Sequence, residues 1–142
     1  MTNNIQIKTY NQKYPITKPH FYILNKGLNS GKPQNEPFAN SFTVSSRTKK
    51  ESEQLYWLTF GLWRAKSFHP YLKGSVIPFL TINDCKSILK DALQKAEADK
   101  PTLKKSIKAL RTLEEKQKQY LRNIQLIEEA KRIVFYRYAR RR

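Results

Sequence analysis

The sequence predicts an α+β fold: a small N-terminal antiparallel sheet packed on helices, followed by a long C-terminal helix or helical hairpin. Three observations carry this reading. Before residue 47, apolar and polar residues alternate in short stretches, the period of strands. From about residue 51 the apolar spacing lengthens to three and four residues, the period of helices. After Pro101 the chain contains no further proline or glycine. The chain therefore divides into a small α+β domain over 1–100 and a long basic helix over 101–142.

The elements follow in order. Residues 5–10 (Ile-Gln-Ile-Lys-Thr-Tyr) alternate apolar and polar and predict a first strand. Pro15 and Pro19 bracket an irregular stretch, and His20–Leu24 is an aromatic and β-branched run that predicts a second strand. Asn25 to Pro37 holds Gly27, Gly31, Pro33 and Pro37 and reads as a loop. Residues 41–46 alternate again and predict a third strand. A helix is expected from about Glu51 to Phe68, with apolar residues at Leu55, Leu58, Leu62 and Ala65, and with Trp57, Phe60 and Trp63 widening the stripe. Thr48 or Ser52 caps it, Glu51 and Glu53 suit the positive end of its dipole, and His69-Pro70 stops it. Val76–Leu80 reads as a short buried strand, confined by Pro78 to an edge or an irregular segment. Asn83 or Thr81 caps a helix over Asp84–Ala98. Asp99-Lys-Pro101 breaks it, with Pro101 opening the last helix. Over 102–139, Leu103, Ile107, Leu110, Leu113, Leu121, Ile124, Ile127, Val134 and Tyr138 fall near a repeat of about 3.5 residues. Such a helix is roughly 55 Å long. It must fold back on the preceding helix or pair with another chain as a coiled coil.

Charge bounds the function. The 142 residues carry 28 Lys and Arg against 11 Asp and Glu, a net +17. A small soluble domain carries a magnitude of roughly 2–8. The excess calls for a polyanion, and nucleic acid is the commonest. Residues 1–100 hold 15 cations and seven anions, and residues 101–142 hold 13 and four, so the last segment is the denser. Apolar residues at 39% and aromatics at 12% exclude a disordered basic tail. The single cysteine, Cys85, excludes an intramolecular disulfide and a thiolate metal cluster. The longest apolar runs, such as Ile133–Tyr136, are far short of the roughly 20 residues that span a bilayer. No apolar leader core stands in the first 25 residues. The expectation is a cytoplasmic protein, bacterial or viral, or a virion protein if phage-encoded, with no cofactor.

Several patterns bear on chemistry. Gly27-Leu-Asn-Ser-Gly31-Lys32 has the look of a phosphate-binding loop, but it is one residue short of Gly-x4-Gly-Lys, and Pro33 replaces the magnesium-holding hydroxyl. An ordinary glycine-rich loop is the stronger reading, with a backbone–phosphate contact between Lys26 and Lys32 still open. Asp84-Cys-Lys86 has the Asp-x-Lys spacing of metal-dependent nucleases. Those sites need a second carboxylate on a neighbouring strand, and Glu51, Glu53 and Asp91 fall on predicted helices. His20, His69 and Cys85 are too few to predict a zinc site, so Cys85 reads as a buried structural residue. The stronger constellation mixes aromatic and basic residues. Tyr22, Trp57, Trp63, Phe68, Tyr71, Tyr136 and Tyr138 interleave with Lys26, Arg64, Lys66, Lys73, Arg137, Arg140, Arg141 and Arg142. Cations neutralise phosphates while aromatics contact bases or sugars. The tryptophans alone read as core. The terminal arginines pair phosphate bidentately, and an anionic membrane ranks below nucleic acid as their target.

Residues 56–88 carry a resemblance. Tyr56-Trp-Leu58, Trp63-Arg-Ala-Lys-Ser-Phe68 and Gly74-Ser-Val-Ile-Pro-Phe-Leu-Thr-Ile-Asn-Asp84-Cys-Lys-Ser-Ile88 resemble the target-recognition domain of type I restriction–modification specificity subunits. That resemblance implies a helix, a Gly-Ser with an Ile-Pro-like strand, an Asp-Leu-Lys-like turn, and a coiled-coil spacer. It also implies reading of duplex DNA without catalytic residues. The family's Pro-rich exit strand and the Glu-Gln opening of its spacer are absent, and the segment covers about 33 of the 142 residues. The whole chain is also similar to an uncharacterised family of gut bacteria and their mobile elements.

The expected function is non-enzymatic nucleic-acid binding, to duplex DNA first. The expected contacts are Lys26, Lys32, Arg64, Lys66, Lys73, Lys86, Arg137 and Arg140–Arg142, with the long helix mediating a homodimer or larger assembly. The alternative is a structural or assembly protein, such as a phage virion component, that uses the long helix for subunit contacts. A nuclease through Asp84 and Lys86 ranks third.

Overall fold

The computed structural model describes residues 5–139. Four strands form one sheet: β1 (Gln6–Thr9), β2 (His20–Leu24), β3 (Pro33–Gln34) and β4 (Ser41–Ser45). Their order is β1-β4-β2-β3, and every neighbouring pair is antiparallel. Lys8 and Tyr22 both pair with Thr43, while Ile7 and Phe21 both pair with Val44. Alternation then sorts the faces. Ile7, Phe21, Ile23, Phe42 and Val44 point into the core, and Lys8, Tyr22, Thr43 and Ser45 point to the opposite side. The glycine-rich loop, expected to be wholly irregular, contributes the two-residue edge strand β3.

Two helices cover the apolar face. α1 (Lys49–Arg64) supplies Leu55 and α2 (Ile82–Ala98) supplies Cys85, Leu89 and Leu93. Both start by one device, a threonine cap with an acidic residue three positions on. Thr48 Oγ1 accepts from the Glu51 amide and Thr81 Oγ1 from the Asp84 amide, each at 3.2 Å. α1 ends a turn earlier than the expected Phe68. Lys66 adopts φ 60°, its amide donates to the Trp63 carbonyl, and the Ser67 amide donates to the Leu62 carbonyl at 2.9 Å. That pattern closes a helix without proline. Phe68 then drops into the core, and His69–Tyr71 forms a 3₁₀ turn.

The buried strand expected at Val76–Leu80 is absent. Gly74 reverses the chain at φ 97°, and Lys73 and Phe79 exchange backbone hydrogen bonds of 2.9 and 2.8 Å. The segment is a closed turn with only isolated bridges, from Phe79 to Lys73 and to Lys26. Pro78 has no N–H to extend a ladder. Val76 is 90% exposed and Ile77 53%, and only Leu80 reaches the core.

α3 (Lys100–Phe135) follows α2 after the single residue Asp99. Asp99 caps it: one carboxylate oxygen accepts from the Thr102 amide at 3.2 Å, the other from the Thr102 hydroxyl at 2.7 Å. These bonds hold the Asp99 carboxyl below the usual carboxylate range. Pro101 takes the second helical position, where its missing N–H costs nothing. A 3₁₀ turn, Tyr136–Tyr138, follows α3. The contacts divide the chain into two units, Met1–Ile107 and Lys108–Arg142. In the first, Leu103 and Ile107 are half-buried. In the second, the described apolar residues from Leu113 onward are exposed. Among the described residues no helix is long and apolar enough to cross a membrane.

Candidate nucleic-acid interface

α1 carries more apolar surface than one face can bury. The face through Ser52, Leu55 and Thr59 is the buried one. Beside it stand Tyr56, Trp57, Phe60 and Trp63, all half-buried. They form a ladder of rings: Tyr56 to Trp57 at 5.5 Å, Trp57 to Phe60 at 5.4 Å and Phe60 to Trp63 at 5.5 Å between centroids. Phe21 of β2 meets Tyr56 edge-on at 5.5 Å, which ties the ladder to the core. The tryptophans, expected in the core, are half-buried: Trp63 packs against the core from its edge, and Trp57 lies on the partly open face beside it. The sequence held a trace of this, since the apolar positions of α1 spread well beyond the roughly 100° stripe that packing on one sheet requires.

Cations lie over the ladder. Arg64 Cζ is 4.6 Å from the Trp63 ring centroid and 5.3 Å from that of Phe60. Lys32 Nζ reaches Trp63 from the β2–β3 loop, at 5.1 Å. Each such contact stabilises by about 0.5–1 kcal/mol at an exposed site. Lys66 follows α1 in its left-handed conformation, exposed. Three of the expected contact residues, Lys32, Arg64 and Lys66, thus lie on or beside the end of α1.

The loop preceding Lys32 works differently from a phosphate cradle. The Gly27 amide donates to the Pro78 carbonyl at 2.7 Å, the Ser30 amide to Gly27, the Gly31 amide to Leu24 at 2.7 Å and the Lys32 amide to Asn29. Those donors are spent on the fold and do not face an anion. Gly31 is required instead for close approach, because a Cβ there would lie 2.3 Å from the Phe68 ring. Four of the loop's amides are thus committed to the fold, which leaves fewer backbone donors for the phosphate contact considered between Lys26 and Lys32.

The remaining expected residues fall elsewhere. Lys26 and Lys73 both bridge to Phe79 and flank the exposed 73–79 turn. Lys73 also pairs with Asp84 at 3.7 Å, a half-exposed ion pair of small worth. Lys86 lies on α2, in a groove of about 560 Å³ shared with Lys8 and Lys90 against β1. Arg137 belongs to the second unit, with its Cζ 5.5 Å from the Tyr138 ring centroid. Arg140, Arg141 and Arg142 lie outside the described residues.

The candidate reactive groups are placed as follows. Among the described residues no three His, Cys, Asp or Glu side chains gather as a metal-holding group. Cys85 is fully buried, and burial pushes its thiol up to about 12. His20 is engaged through both ring nitrogens, with the Lys18 carbonyl at 2.8 Å and the Tyr22 hydroxyl at 3.1 Å.

Fold and site together define a small α+β protein with a cationic aromatic face on one helix. The chain belongs to the family described as "Family of unknown function (DUF6943)", which matches residues 7–137. A comparison with curated proteins finds no match.

Proposed function

We propose that this chain is a non-enzymatic nucleic-acid-binding protein, with duplex DNA as the favoured target. The observation that carries the reading is the α1 ladder with Arg64 and Lys32 over its rings. Arg64 and Lys32 bring positive charge to the ring faces, where it attracts phosphate, and the neighbouring rings are suited to sugar or base contact. Lys66 extends the cationic edge, and Lys26 and Lys73 add phosphate contacts beside the 73–79 turn. The net charge of +17 supports the same reading. The resemblance of residues 56–88 to a restriction-specificity recognition domain favours duplex DNA, although the strand it implies at 76–80 is a closed turn. Arg137 and the terminal arginines add backbone contacts. Such a protein works in the cytoplasm, or in the particle if a phage encodes it.

Tryptophan emission tests this directly, because both tryptophans of the chain are on the ladder. Duplex DNA is expected to change Trp57 and Trp63 emission in step with the anisotropy of a labelled duplex. Binding that leaves the emission untouched places the contact elsewhere and overturns this assignment.

A second reading has an observation of its own. Leu113, Tyr120, Ile124, Ile127 and Val134 of α3 are all exposed and follow alternating steps of three and four residues, apart from Gln117 and Lys131 in the same register. That is a coiled-coil seam. An assembly protein using it forms oligomers without nucleic acid. Light scattering after size exclusion, with and without nuclease, separates the two readings.

A further inference from the structure

The strand order creates a second site, with no residue of the α1 ladder in its lining. β1 and β2 both run antiparallel to β4 and lie on either side of it, so they are parallel to each other. The connection from β1 to β2 must therefore cross the sheet. The helices occupy the apolar face, and the connection crosses the other as a strap over residues 10–19. Both of its ends are pinned to β4 or just beyond: the Tyr10 amide donates to the Ser41 carbonyl at 3.0 Å, and the Ser46 amide donates to the Pro19 carbonyl at 3.0 Å. A turn at Asn11, closed by the Tyr14 amide at 3.1 Å, arches the strap away from the strands.

Beneath the strap is a cleft of about 520 Å³, within the range of small-molecule sites. Its charged lining is wholly cationic, with Lys8 from β1 and Lys18 from the strap. Thr17, Thr43 and Ser45 bring hydroxyls, and Tyr14 contributes an aromatic wall. Thr43 supplies the independent observation. It is 4% exposed in the central strand, and its Oγ1 is buried with no hydrogen-bond partner. A buried hydroxyl without a partner is costly and uncommon in a folded chain, and it calls for an explanation. Its cross-strand neighbour Tyr22 is already bonded to His20.

We propose that this cleft binds a small phosphate monoester. Lys8 and Lys18 neutralise the dianion as point charges, the arched strap lifts enough for the covered Thr43 hydroxyl to donate to a phosphate oxygen, and Tyr14 covers the organic group. None of Lys32, Arg64 or Lys66 lines the cleft, so the site stands independently of the nucleic-acid reading.

Amide shifts of the full chain, titrated with phenyl phosphate, test the proposal. Phenyl phosphate is expected to move the amides of Lys8, Lys18 and Thr43. Lys8→Gln or Lys18→Gln should weaken binding roughly tenfold, as loss of one charge-assisted hydrogen bond does. Thr43→Val removes a hydroxyl that has no partner in the fold, so the variant should melt at the same temperature or higher. It should also bind phenyl phosphate about fivefold more weakly or worse. Inorganic phosphate should move the same amides with lower affinity, because it leaves Tyr14 uncovered. No movement of these amides, or movement confined to Lys32 and Arg64, overturns the proposal. So does a Thr43→Val variant that binds as tightly as the parent.

Discussion

Gly31 and Gly27 separate two uses of glycine within one loop. Both have positive φ, 99° and 92°, but a Cβ at Gly31 meets the buried Phe68 ring while one at Gly27 meets nothing within 4 Å. Gly27→Ala should cost about 1 kcal/mol of backbone strain. Gly31→Ala should cost about 2–4 kcal/mol, strain and steric overlap together. Urea midpoints of the two variants check the difference, and equal losses would contradict the Phe68 contact. Lys66 is the opposite case, a side chain where the backbone favours glycine. Lys66→Gly should raise stability by about 0.5–1 kcal/mol while weakening DNA binding. Cys85 makes the third residue-scale prediction. Its thiol is raised from 9.0 to about 12 by burial, so it should resist alkylation at pH 9 in the native state and react once urea unfolds the chain. The unfolded thiol ionises first, so the stability Cys85 contributes is complete below pH 9 and is lost as the pH climbs toward 12. Burial of Cys85 was legible because a lone cysteine without partner ligands behaves as a small apolar residue. The role of Gly31 was not, since its partner Phe68 lies on the far side of α1 in the chain and no local spacing records it.

At the scale of elements, β1, α1 and α2 were legible because each buries one face and so leaves a repeat in the sequence, β2 and β4 showed as short strand-like runs between turn residues, and α3 showed by its 3.5-residue repeat, although none of its residues is buried. What failed had no such repeat. β3 is two residues long. The apolar run at Val76–Leu80 has strand composition, yet Gly74 and Pro78 fold it into a turn that puts Val76 and Ile77 in solvent. The end of α1 was set by the backbone of Lys66 rather than by His69-Pro70. The ladder was legible only in part for a related reason: composition gives the aromatics of α1 but not which of them pack on the core, as Tyr56 and Trp63 do, and which stand beside it. α3 offers a pH test. The Asp99 carboxylate accepts two hydrogen bonds from Thr102 and is held below the usual range. Its contribution is present above the unfolded carboxylate value and is lost as pH falls through the lowered one. The hydrogen-exchange protection of the Thr102 amide should fall in that acid window. It should be weak at every pH in Asp99→Ala and preserved in Asp99→Asn, since asparagine also caps.

For the whole molecule, charge and aromatic placement together make the functional reading. Of the ten residues the sequence nominated for nucleic-acid contact, Lys32, Arg64 and Lys66 meet at one helix end, and Lys26 and Lys73 meet at one turn. Charge, interleaved aromatics and local motifs nominated them, and only the fold shows which are neighbours. The alternative seam on α3 accounts for exposed apolar residues but not for cations over the α1 rings. The salt dependence of duplex binding decides most directly whether the α1 end holds phosphates. Each neutralised phosphate contributes about −0.9 to the slope of log affinity against log salt. The wild-type chain should give a steep slope, and Lys32→Gln, Arg64→Gln and Lys66→Gln combined should make it shallower by roughly two to three units. An affinity that does not change between low and high salt, or a triple variant with the wild-type slope, would contradict the account.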